Sequence, residues 1–422
     1  MNNKKINLIA ADMGYGHQRA AYPLLDLAGG EILTLNNYEG IPDWEKDYWI
    51  NSLKSYEKIS RFKKFPLLGD VVFSVMDYFQ KILPLYPFRD LSRPTIQQKY
   101  FYSFIKKGLG KDLVEKLNKE KLPFVTTFFV AAQAAEYHNY QGDIYCIICD
   151  TDASRAWAPL NPKNSRINYF VPSEKVKQRF MMYGLPENNL IITGFPLPKE
   201  NIGTQKEILK SDLFSRIKNL DPQKEYQKEY EGIIEDELLN VEIKPERPLS
   251  ITFAVGGAGA QKEIGIIIIE KLSEQIKNKK LIVNLVAGNR PEVKDYFLEG
   301  IKKLEIENGV NVIFAPDKIE YFKQFNQVLR TTDILWTKPS ELSFYCALGL
   351  PIIISSPVGS QEDFNRDWLI SVGGGIDSPS PEFVDQWLPP MLSSGRLARA
   401  AMDAFLNAEQ MGIYKIEDFF SK

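Results

Sequence analysis

Short, near-continuous apolar stretches recur along this chain, and each is followed by a loop and a helical pattern. The first stretch is KINLIAA at residues 5–11, which precedes a glycine loop, the helical pattern HQRAAYPLLDLA and a second strand pattern, EILTLNNY. Such apolar runs are typical of parallel strands covered on both faces, because a strand with one solvated face alternates in polarity. The β-loop-α-β order therefore predicts a doubly wound, Rossmann-like α/β sheet.

This strand and helix alternation occurs twice. It returns after residue 120 with PFVTTFFVA and DIYCIICDTD, and begins again at residue 248 with PLSITFAVGG and KLIVNLVAGN. The stretch before this second start, residues 200–248, has twelve acidic and eight basic residues, which favours a solvated connector. We therefore expect a first domain over 1–200, a connector over 201–248, a second domain over 249–390, and a helical tail over 391–422 that packs back on the first domain.

Residues 41–110 interrupt the first domain with an aromatic insert. They contain fifteen aromatic residues, and twelve Lys or Arg against seven Asp or Glu. One interpretation is a helical insert that packs on its own sheet. The other is an interfacial surface that meets a membrane or an apolar acceptor, because aromatic and basic side chains together suit that boundary.

The overall composition excludes several classes of protein. The 422 residues carry a formal net charge of -2, and this balance argues against a dedicated nucleic-acid binder. The apolar runs are too short to span a membrane, and the amino-terminal run meets Asp12 too early for a signal peptide. We expect a cytoplasmic protein, with peripheral contact at the inner face of the membrane as a further possibility.

The three cysteines are sparse, which suits a reducing compartment. Cys146 and Cys149 lie three residues apart in a predicted strand, so their side chains face opposite sides and cannot readily share a metal. We expect buried core cysteines.

One of the two histidines stands in the first glycine loop. Gly14, Tyr15 and Gly16 predict a tight turn, and His17 follows at the start of a helix. Histidine titrates near neutral pH, so His17 is a candidate general base. His138 lies in a polar, loop-like stretch, where we expect a structural role. Strand-end carboxylates, which are alternative bases or plain helix caps, occur at Asp12, Asp150 and Asp152.

A second glycine loop, VGGAGAQ at residues 255–261, follows the predicted strand SITFA. Glycines let a backbone approach a ligand closely, and amides at the next helix start can hold a phosphate. The loop departs from the dinucleotide fingerprint, because the third glycine position falls on Lys262. Packing alone is the other explanation of such a loop.

Polar residues also cluster near the end of the second domain. Ser340 is a predicted helix cap, and Glu341 lies in the first turn after it. Gln361, Glu362 and Asn365 follow the buried strand IIIS, and fixed polar groups of this kind suit the hydroxyls of a sugar. An ordinary polar surface loop is the alternative.

Taken in order, the segments GYGHQRAA, GGAGAQ and TKPS…GLPIII…GSQEDFN resemble the GT-B glycosyltransferases of the family 28 type. The similar groups are the monogalactosyldiacylglycerol synthases and the peptidoglycan N-acetylglucosaminyltransferases, and the resemblance covers most of residues 5–370. It implies two Rossmann-like domains that face each other across a cleft. It also implies inverting transfer of a sugar from a nucleotide diphosphate, with a UDP-sugar expected, to a hydroxyl acceptor such as a lipid.

The resemblance also implies roles for particular residues. His17 would face the acceptor, the family's TD pattern falls on Asp152, and Asp12 is a further candidate for catalysis. No metal or cofactor is expected, because loop amides and helix dipoles would stabilise the leaving diphosphate. The donor would be bound by Gly256, Gly257, Gly259, Gln261, Ser340, Glu341, Gln361, Glu362 and Asn365.

One position departs from the family pattern. The glutamate that binds ribose in the family falls near Phe344 or Tyr345 here, and Glu341 is the nearest carboxylate. Two alternatives therefore stay open: a nucleotide-sugar epimerase on the same fold, and a binding protein that kept the fold and lost catalysis.

Overall fold

The chain forms two compact units. The N-terminal unit comprises Met1–Pro196, Val358–Asn365 and Met411–Lys422, and the C-terminal unit comprises Leu197–Pro357 and Arg366–Gln410. Each contains one six-stranded parallel sheet with helices, which confirms the predicted α/β class. The computed structural model describes residues 4–62, 82–238, 241–256, 259, 261–357 and 360–422, with 53–62 and 360 described by backbone alone.

The sheet of the N-terminal unit has the strand order β2-β1-β3-β4-β5-β6. The chain leaves β1 for β2 on one side and later returns to β3 on the other, so a switch point lies between β1 and β3. Ligands of doubly wound sheets bind outside the carboxyl ends of the strands at such a point. The strands are β1 (Asn7–Ala10), β2 (Leu33–Thr34), β3 (Phe124–Thr126), β4 (Ile144–Ile147), β5 (Ile167–Val171) and β6 (Leu190–Ile192).

Two helix boundaries in this unit are set by a proline and by a capping serine. The first helix ends at Ala21, earlier than its pattern suggested, because Pro23 lacks the N–H that would continue it. Ser173 caps the helix that begins at Glu174, since its Oγ accepts from the Val176 N–H at 3.4 Å. The helices are α1 (Gly16–Ala21), α2 (Asp43–Phe62), α3 (Ile96–Lys106), α4 (Lys111–Leu117), α5 (Phe129–Tyr137) and α6 (Glu174–Met182).

The aromatic insert is partly core and partly surface. Residues 63–81 of it lie outside the described part of the chain. Trp49 of α2 and Tyr102 of α3 are buried in the unit's core, whereas Tyr86 is 66% and Phe88 59% exposed. Part of the insert therefore packs on its own sheet, as the first interpretation has it, and the interfacial interpretation stays a prediction for the exposed part.

Helix α2 is tied to the unit by a buried carboxylate. Glu45 is fully buried, and its Oε2 accepts from the Gly110 N–H at 3.2 Å. Burial raises the pKa of the Glu45 carboxyl above its usual range. This contact holds Trp49, one turn further along α2, in its place.

The sheet of the C-terminal unit has the order β12-β11-β10-β7-β8-β9. Strand β10 returns to pair with β7 on the side opposite β8, so the switch point here lies between β7 and β10. The strands are β7 (Leu249–Ala254), β8 (Leu281–Gly288), β9 (Val310–Phe314), β10 (Ile334–Thr337), β11 (Ile352–Ile354) and β12 (Gly375–Asp377).

The predicted connector over 201–248 differs from the structure, which places these residues in the C-terminal unit. In α7 (Glu207–Leu220), the buried residues Leu209, Leu213 and Ile217 recur every four positions and form one apolar face. The charged residues occupy the remaining surface of the helix. The charge content of the segment is therefore the same as that of a solvated connector, although the segment is folded. Two short helices follow, α8 (Glu225–Glu229) and α9 (Glu231–Leu238).

The predicted tail over 391–422 is divided between the two units. Helix α16 (Arg396–Asn407) belongs to the C-terminal unit, whereas α17 (Gly412–Phe419) belongs to the N-terminal unit. The other helices of the C-terminal unit are α10 (Lys262–Lys271), α11 (Ser273–Lys277), α12 (Pro291–Leu304), α13 (Lys318–Leu329), the second half of α14 (Ser360–Ser371) and α15 (Val384–Ser393).

Candidate functional site

An aromatic pocket lies at the switch point of the N-terminal unit. Its volume is about 230 Å³, and it opens beside the residues that follow β1 and β3. Helices α2 and α3 contribute to it from the insert. The aromatic side chains that line it are Tyr48, Trp49, Phe101, Phe128, Phe129 and Trp157.

Polar side chains share this pocket with the aromatic wall. Six of them converge there from five separate parts of the chain, so the pocket can take a ligand that has both an apolar body and hydroxyl groups. They are His17, Ser52, Gln97, Asp150, Ser154 and Gln361.

His17 has a defined orientation. Its Nδ1 lies 2.7 Å from the Thr127 carbonyl oxygen, and the Thr127 hydroxyl donates back to the His17 carbonyl at 2.9 Å. A carbonyl oxygen only accepts, so Nδ1 carries the proton and the lone pair of the neutral ring is on Nε2. The ring also packs edge-on against Phe128, with ring centres 4.9 Å apart. The loop after β3 therefore fixes the imidazole within the pocket.

The glycine turn before His17 has the expected form. Gly14 has φ +115, a conformation that L side chains rarely adopt, and Gly16 is the first residue of α1. Tyr15 between them is buried. The turn brings His17 to the carboxyl end of β1.

Of the three strand-end carboxylates, Asp150 lines the pocket, whereas Asp12 and Asp152 are placed elsewhere. Asn36 holds the Asp12 backbone, accepting from its N–H at 2.8 Å and donating to its carbonyl at 3.0 Å. The carboxylate at Asp150 is therefore the one that shares a pocket with His17.

The prediction of a catalytic Asp152 is not supported by its position. Asp152 is buried, and Arg179 donates to its two oxygens at 2.9 and 3.0 Å. Lys175 adds an ion pair at 3.6 Å. The chain turns after Asp150, so Asp152 faces α6 rather than the strand edge, and it braces the fold.

The segment Val358–Asn365 belongs to the N-terminal unit, which separates its residues from the second glycine loop. Gln361 lines the aromatic pocket, and Glu362 is half-buried beside it. Asn365 is 1% exposed, and its side-chain oxygen accepts from the Thr151 N–H at 3.0 Å. The predicted contact of Asn365 with the donor therefore conflicts with its burial.

The second glycine loop lies at the switch point of the C-terminal unit. The Gly259 N–H donates to the Gly256 carbonyl at 2.8 Å, and Gly259 has φ +68. Gln261 ends the loop, and its amide donates to the Ser356 carbonyl at 3.0 Å after β11. Gly257 lies outside the described residues. The described residues Gly256 and Gly259 are thus linked by a hydrogen bond, and Gln261 is held against the neighbouring strand end.

Lys338 stands beside this loop, and the sequence reasoning missed it. A Cβ on Gly256 would lie 2.6 Å from Lys338 Cε and 3.4 Å from its Nζ. Glycine at 256 is therefore what allows the ammonium to cross the loop. An ammonium, loop amides and a helix start suit a phosphate group. The available signal was that Lys338 directly follows β10, the strand across the switch point from the loop.

The segment after Lys338 is capped as predicted. The Ser340 Oγ accepts from the Leu342 N–H at 3.4 Å, and Glu341–Leu348 is a 3₁₀ helix that ends at Gly349. Residues three apart eclipse in a 3₁₀ helix, so Glu341 and Phe344 share a side. Phe344 is buried, with its ring centre 5.0 Å from that of Trp368. The half-buried Glu341 is thus the carboxylate on that face.

The remaining sequence candidates are structural. His138 ends α5, and its Nε2 lies 3.1 Å from the Leu109 carbonyl. Burial lowers the pKa of His138 below its usual range. All three cysteines are buried thiols. Within the described ranges, no cluster of three or more His, Cys, Asp or Glu side chains is arranged to hold a metal ion.

None of the helices described is both long enough and apolar enough to cross a bilayer.

Comparison with known proteins found a family model that matches part of the chain and several similar proteins. A family model described as "Domain of unknown function (DUF6938)" matches residues 240–308 and 297–416. A processive diacylglycerol beta-glucosyltransferase of Staphylococcus carnosus (strain TM300) is 24% identical, over 98% of this chain and 90% of that protein. The protein of the same name from Bacillus subtilis (strain 168) is 20% identical, over 89% and 83%.

A solved structure shows the same fold. The S. aureus MnaA-UDP co-structure has a TM-score of 0.50 at 12% identity, covering 99% of this chain and 96% of that chain. The two Rossmann-like sheets, one in each unit, confirm the two-domain α/β architecture that the motifs predicted. The chain therefore has the GT-B fold, and the relatives that it matches over most of its length are named as glycosyltransferases.

Proposed function

We propose that this enzyme transfers a sugar from a UDP-sugar to a hydroxyl of an acceptor with an apolar body, with inversion at the anomeric carbon and without a metal ion. The observation that carries the proposal is His17, held by Thr127 with the lone pair of its neutral ring on Nε2, inside an aromatic pocket. The relatives named as glycosyltransferases of diacylglycerol support a lipid as the acceptor.

The proposed step is a single displacement. The acceptor oxygen forms a bond to C1 of the sugar, and its proton passes to His17 Nε2. The bond between C1 and the diphosphate oxygen breaks, and its electron pair leaves with UDP. One displacement inverts the configuration at C1. In the C-terminal unit, the Gly256 loop and Lys338 would stabilise the charge on the diphosphate, and Glu341 would contact the nucleotide.

The exposed aromatic side chains suit a lipid acceptor. Trp44, Tyr86, Phe88 and Tyr100 come from the insert, and each is more than two-fifths exposed. The insert also has an excess of basic residues. We propose that this surface rests on the membrane at its cytoplasmic face, where amphipathic aromatic and basic side chains bind anionic lipid.

A panel of nucleotide sugars tests the donor. UDP-glucose, UDP-galactose, UDP-N-acetylglucosamine and ADP-glucose are added separately, and the unfolding of the full chain is measured. The true donor stabilises the protein by about 2.7 kcal/mol at a hundredfold excess over its dissociation constant. If none of them changes the melting temperature, the transferase proposal is wrong.

The His17→Gln variant tests the base. Turnover on diacylglycerol is expected to fall by roughly 10²- to 10⁴-fold, because the acceptor proton loses its recipient. The melting shift caused by the donor stays. His138→Gln is the matched control, because its ring contacts the Leu109 carbonyl outside the pocket, and it keeps turnover. Full turnover in His17→Gln would remove His17 from the mechanism.

The same assays separate the two alternatives. Conversion of the donor sugar to its epimer with no acceptor present would favour the epimerase. A donor that shifts the melting temperature but is never turned over would favour a binding protein, and the aromatic residues Phe344 and Tyr345 at the family's glutamate position motivate that reading.

A further inference from the structure

Asn365 links the segment Val358–Asn365 to the loop after β4. Its side-chain oxygen accepts from the Thr151 N–H at 3.0 Å and lies 2.9 Å from the Thr151 hydroxyl. A backbone N–H can only donate, so this end of the amide is the oxygen and the other end is the NH₂ group. The orientation of the amide is therefore set by Thr151.

The NH₂ end of the amide points at the pocket carboxylate. Asn365 Nδ2 lies 3.2 Å from Asp150 Oδ1, and Asp150 lines the same pocket as His17. Asn365 is 1% exposed, so this donor is shielded from water. An N–H donor that is fixed at its other end restricts the rotation of the carboxylate it contacts.

Neighbouring contacts hold Asn365 itself in position. The Thr151 hydroxyl also lies 3.0 Å from the Phe364 carbonyl, and Lys175 Nζ lies 5.7 Å from the centre of the Phe364 ring. Lys175 in turn pairs with Asp152 at 3.6 Å. The buried Asp152 thus supports the segment that carries Asn365, which gives it a structural task.

We infer that Asp150 is the carboxylate that acts on the acceptor beside His17, and that Asn365 is its positioning residue. Asp150 accepts a hydrogen bond from the acceptor and offsets the positive charge that His17 gains with the proton. Asn365 holds it in that position through Thr151. This inference rests on the proposed transfer reaction, and it replaces both the predicted catalytic roles of Asp12 and Asp152 and the predicted donor contact of Asn365.

A charge swap tests the inference. Asp150→Asn is expected to lower kcat by roughly 100-fold or more, with the melting temperature and the donor-induced shift unchanged. Asn365→Asp keeps the oxygen that accepts from Thr151 but sets a second carboxylate against Asp150, so kcat and the melting temperature both fall. The double variant restores an amide–carboxylate hydrogen bond and the melting temperature, while kcat stays low because the carboxylate has left the pocket.

Each outcome has a defined meaning. A double variant that regains turnover would show that the pair is merely structural, and full turnover in Asp150→Asn would overturn the role of Asp150 even if Asn365→Asp fails to fold. Asp143→Asn is the matched control: it removes an exposed carboxylate at the opposite end of β4 and keeps turnover. If the wild-type chain binds no nucleotide sugar, the proposed function fails instead.

Discussion

Gly256 and Lys338 lie so close together that an added methyl group at 256 would displace the flexible end of the lysine side chain. A Cβ at 256 would lie 2.6 Å from Lys338 Cε, so the lysine side chain would have to move off the loop. Gly256→Ala is expected to weaken donor binding by roughly 10- to 100-fold, because a charge-assisted hydrogen bond contributes about 1.5–3 kcal/mol. The dissociation constant of UDP, measured by calorimetry, checks this.

Gly232→Ala provides the matched control for Gly256→Ala. Gly232 lies in α9, and a Cβ there would meet no atom within 4 Å. UDP affinity should be unchanged in this variant. Equal UDP affinity in Gly256→Ala and wild type would separate Lys338 from the donor site.

At the level of single residues, the sequence predicted where a residue lies in the fold better than it predicted which side chains that residue contacts. His17 at the end of a glycine turn was predictable, because strand, turn and helix are local patterns. The roles of Asp152 and Asn365 were not, because Arg179 and Thr151, which occupy their side chains, are distant in the sequence. The position of Lys338 was not predictable, because its neighbour Gly256 follows β7, and β7 and β10 become adjacent only in the folded sheet.

At the scale of elements, the insert is divided between core and surface. Tyr48 and Trp49 of α2 line the pocket, whereas Tyr86 and Phe88 between α2 and α3 are mostly exposed, with ring centres 5.0 Å apart. Replacing Tyr86 and Phe88 together by Ser should lower binding to anionic lipid vesicles at least roughly tenfold at low salt. The reason is that burying each aromatic side chain in lipid contributes about 1.5–3 kcal/mol to the free energy of binding. Co-sedimentation measures this.

Phe383→Ser is the corresponding control in the C-terminal unit. It removes an aromatic side chain of similar exposure, 55%, without touching the insert. If the double Ser variant sediments like the wild type, the exposed aromatics do not bind lipid.

The sequence predicted best those elements that have a regular apolar periodicity or a terminating residue close by. The apolar runs KINLIAA, DIYCIICDTD, PLSITFAVGG and KLIVNLVAGN each contain a strand of one of the two parallel sheets. The helices of 201–248 were predicted as a connector, because their charged residues outnumber the apolar residues of one narrow face. Leu213 and Ile217 belong to that face. So narrow an apolar face is recognised as buried only once the structure shows the residues that pack against it.

At the scale of the whole molecule, the N-terminal unit is built from three separate stretches of chain. Its last stretch contains α17 and the residue after it, and Phe419 and Phe420 pack on Tyr145 with ring centres 5.4 and 5.1 Å apart. Replacing both phenylalanines by Ala should destabilise this unit by about 2–4 kcal/mol, since each ring is partly buried. Urea unfolding followed by hydrogen exchange measures the loss unit by unit.

The C-terminal unit is the internal reference for that measurement. Its exchange should be unchanged in the Phe419 and Phe420 variant, and Phe383→Ala, an exposed site in that unit, should affect neither transition. Equal stability of the N-terminal unit in the variant and the wild type would mean that α17 contributes nothing to it.

The return of α17 has a consequence for synthesis on the ribosome. Domains ordinarily fold in the order in which they emerge. Here the sheet of the N-terminal unit is covered by α17, which is made only after all of Leu197–Pro357 and Arg366–Gln410. Until then Tyr145 and Phe170 lack the rings that cover them. The N-terminal unit is therefore incomplete until α17 has been made, and a ribosome stalled near residue 410 would expose the uncovered apolar surface of its sheet to chaperones.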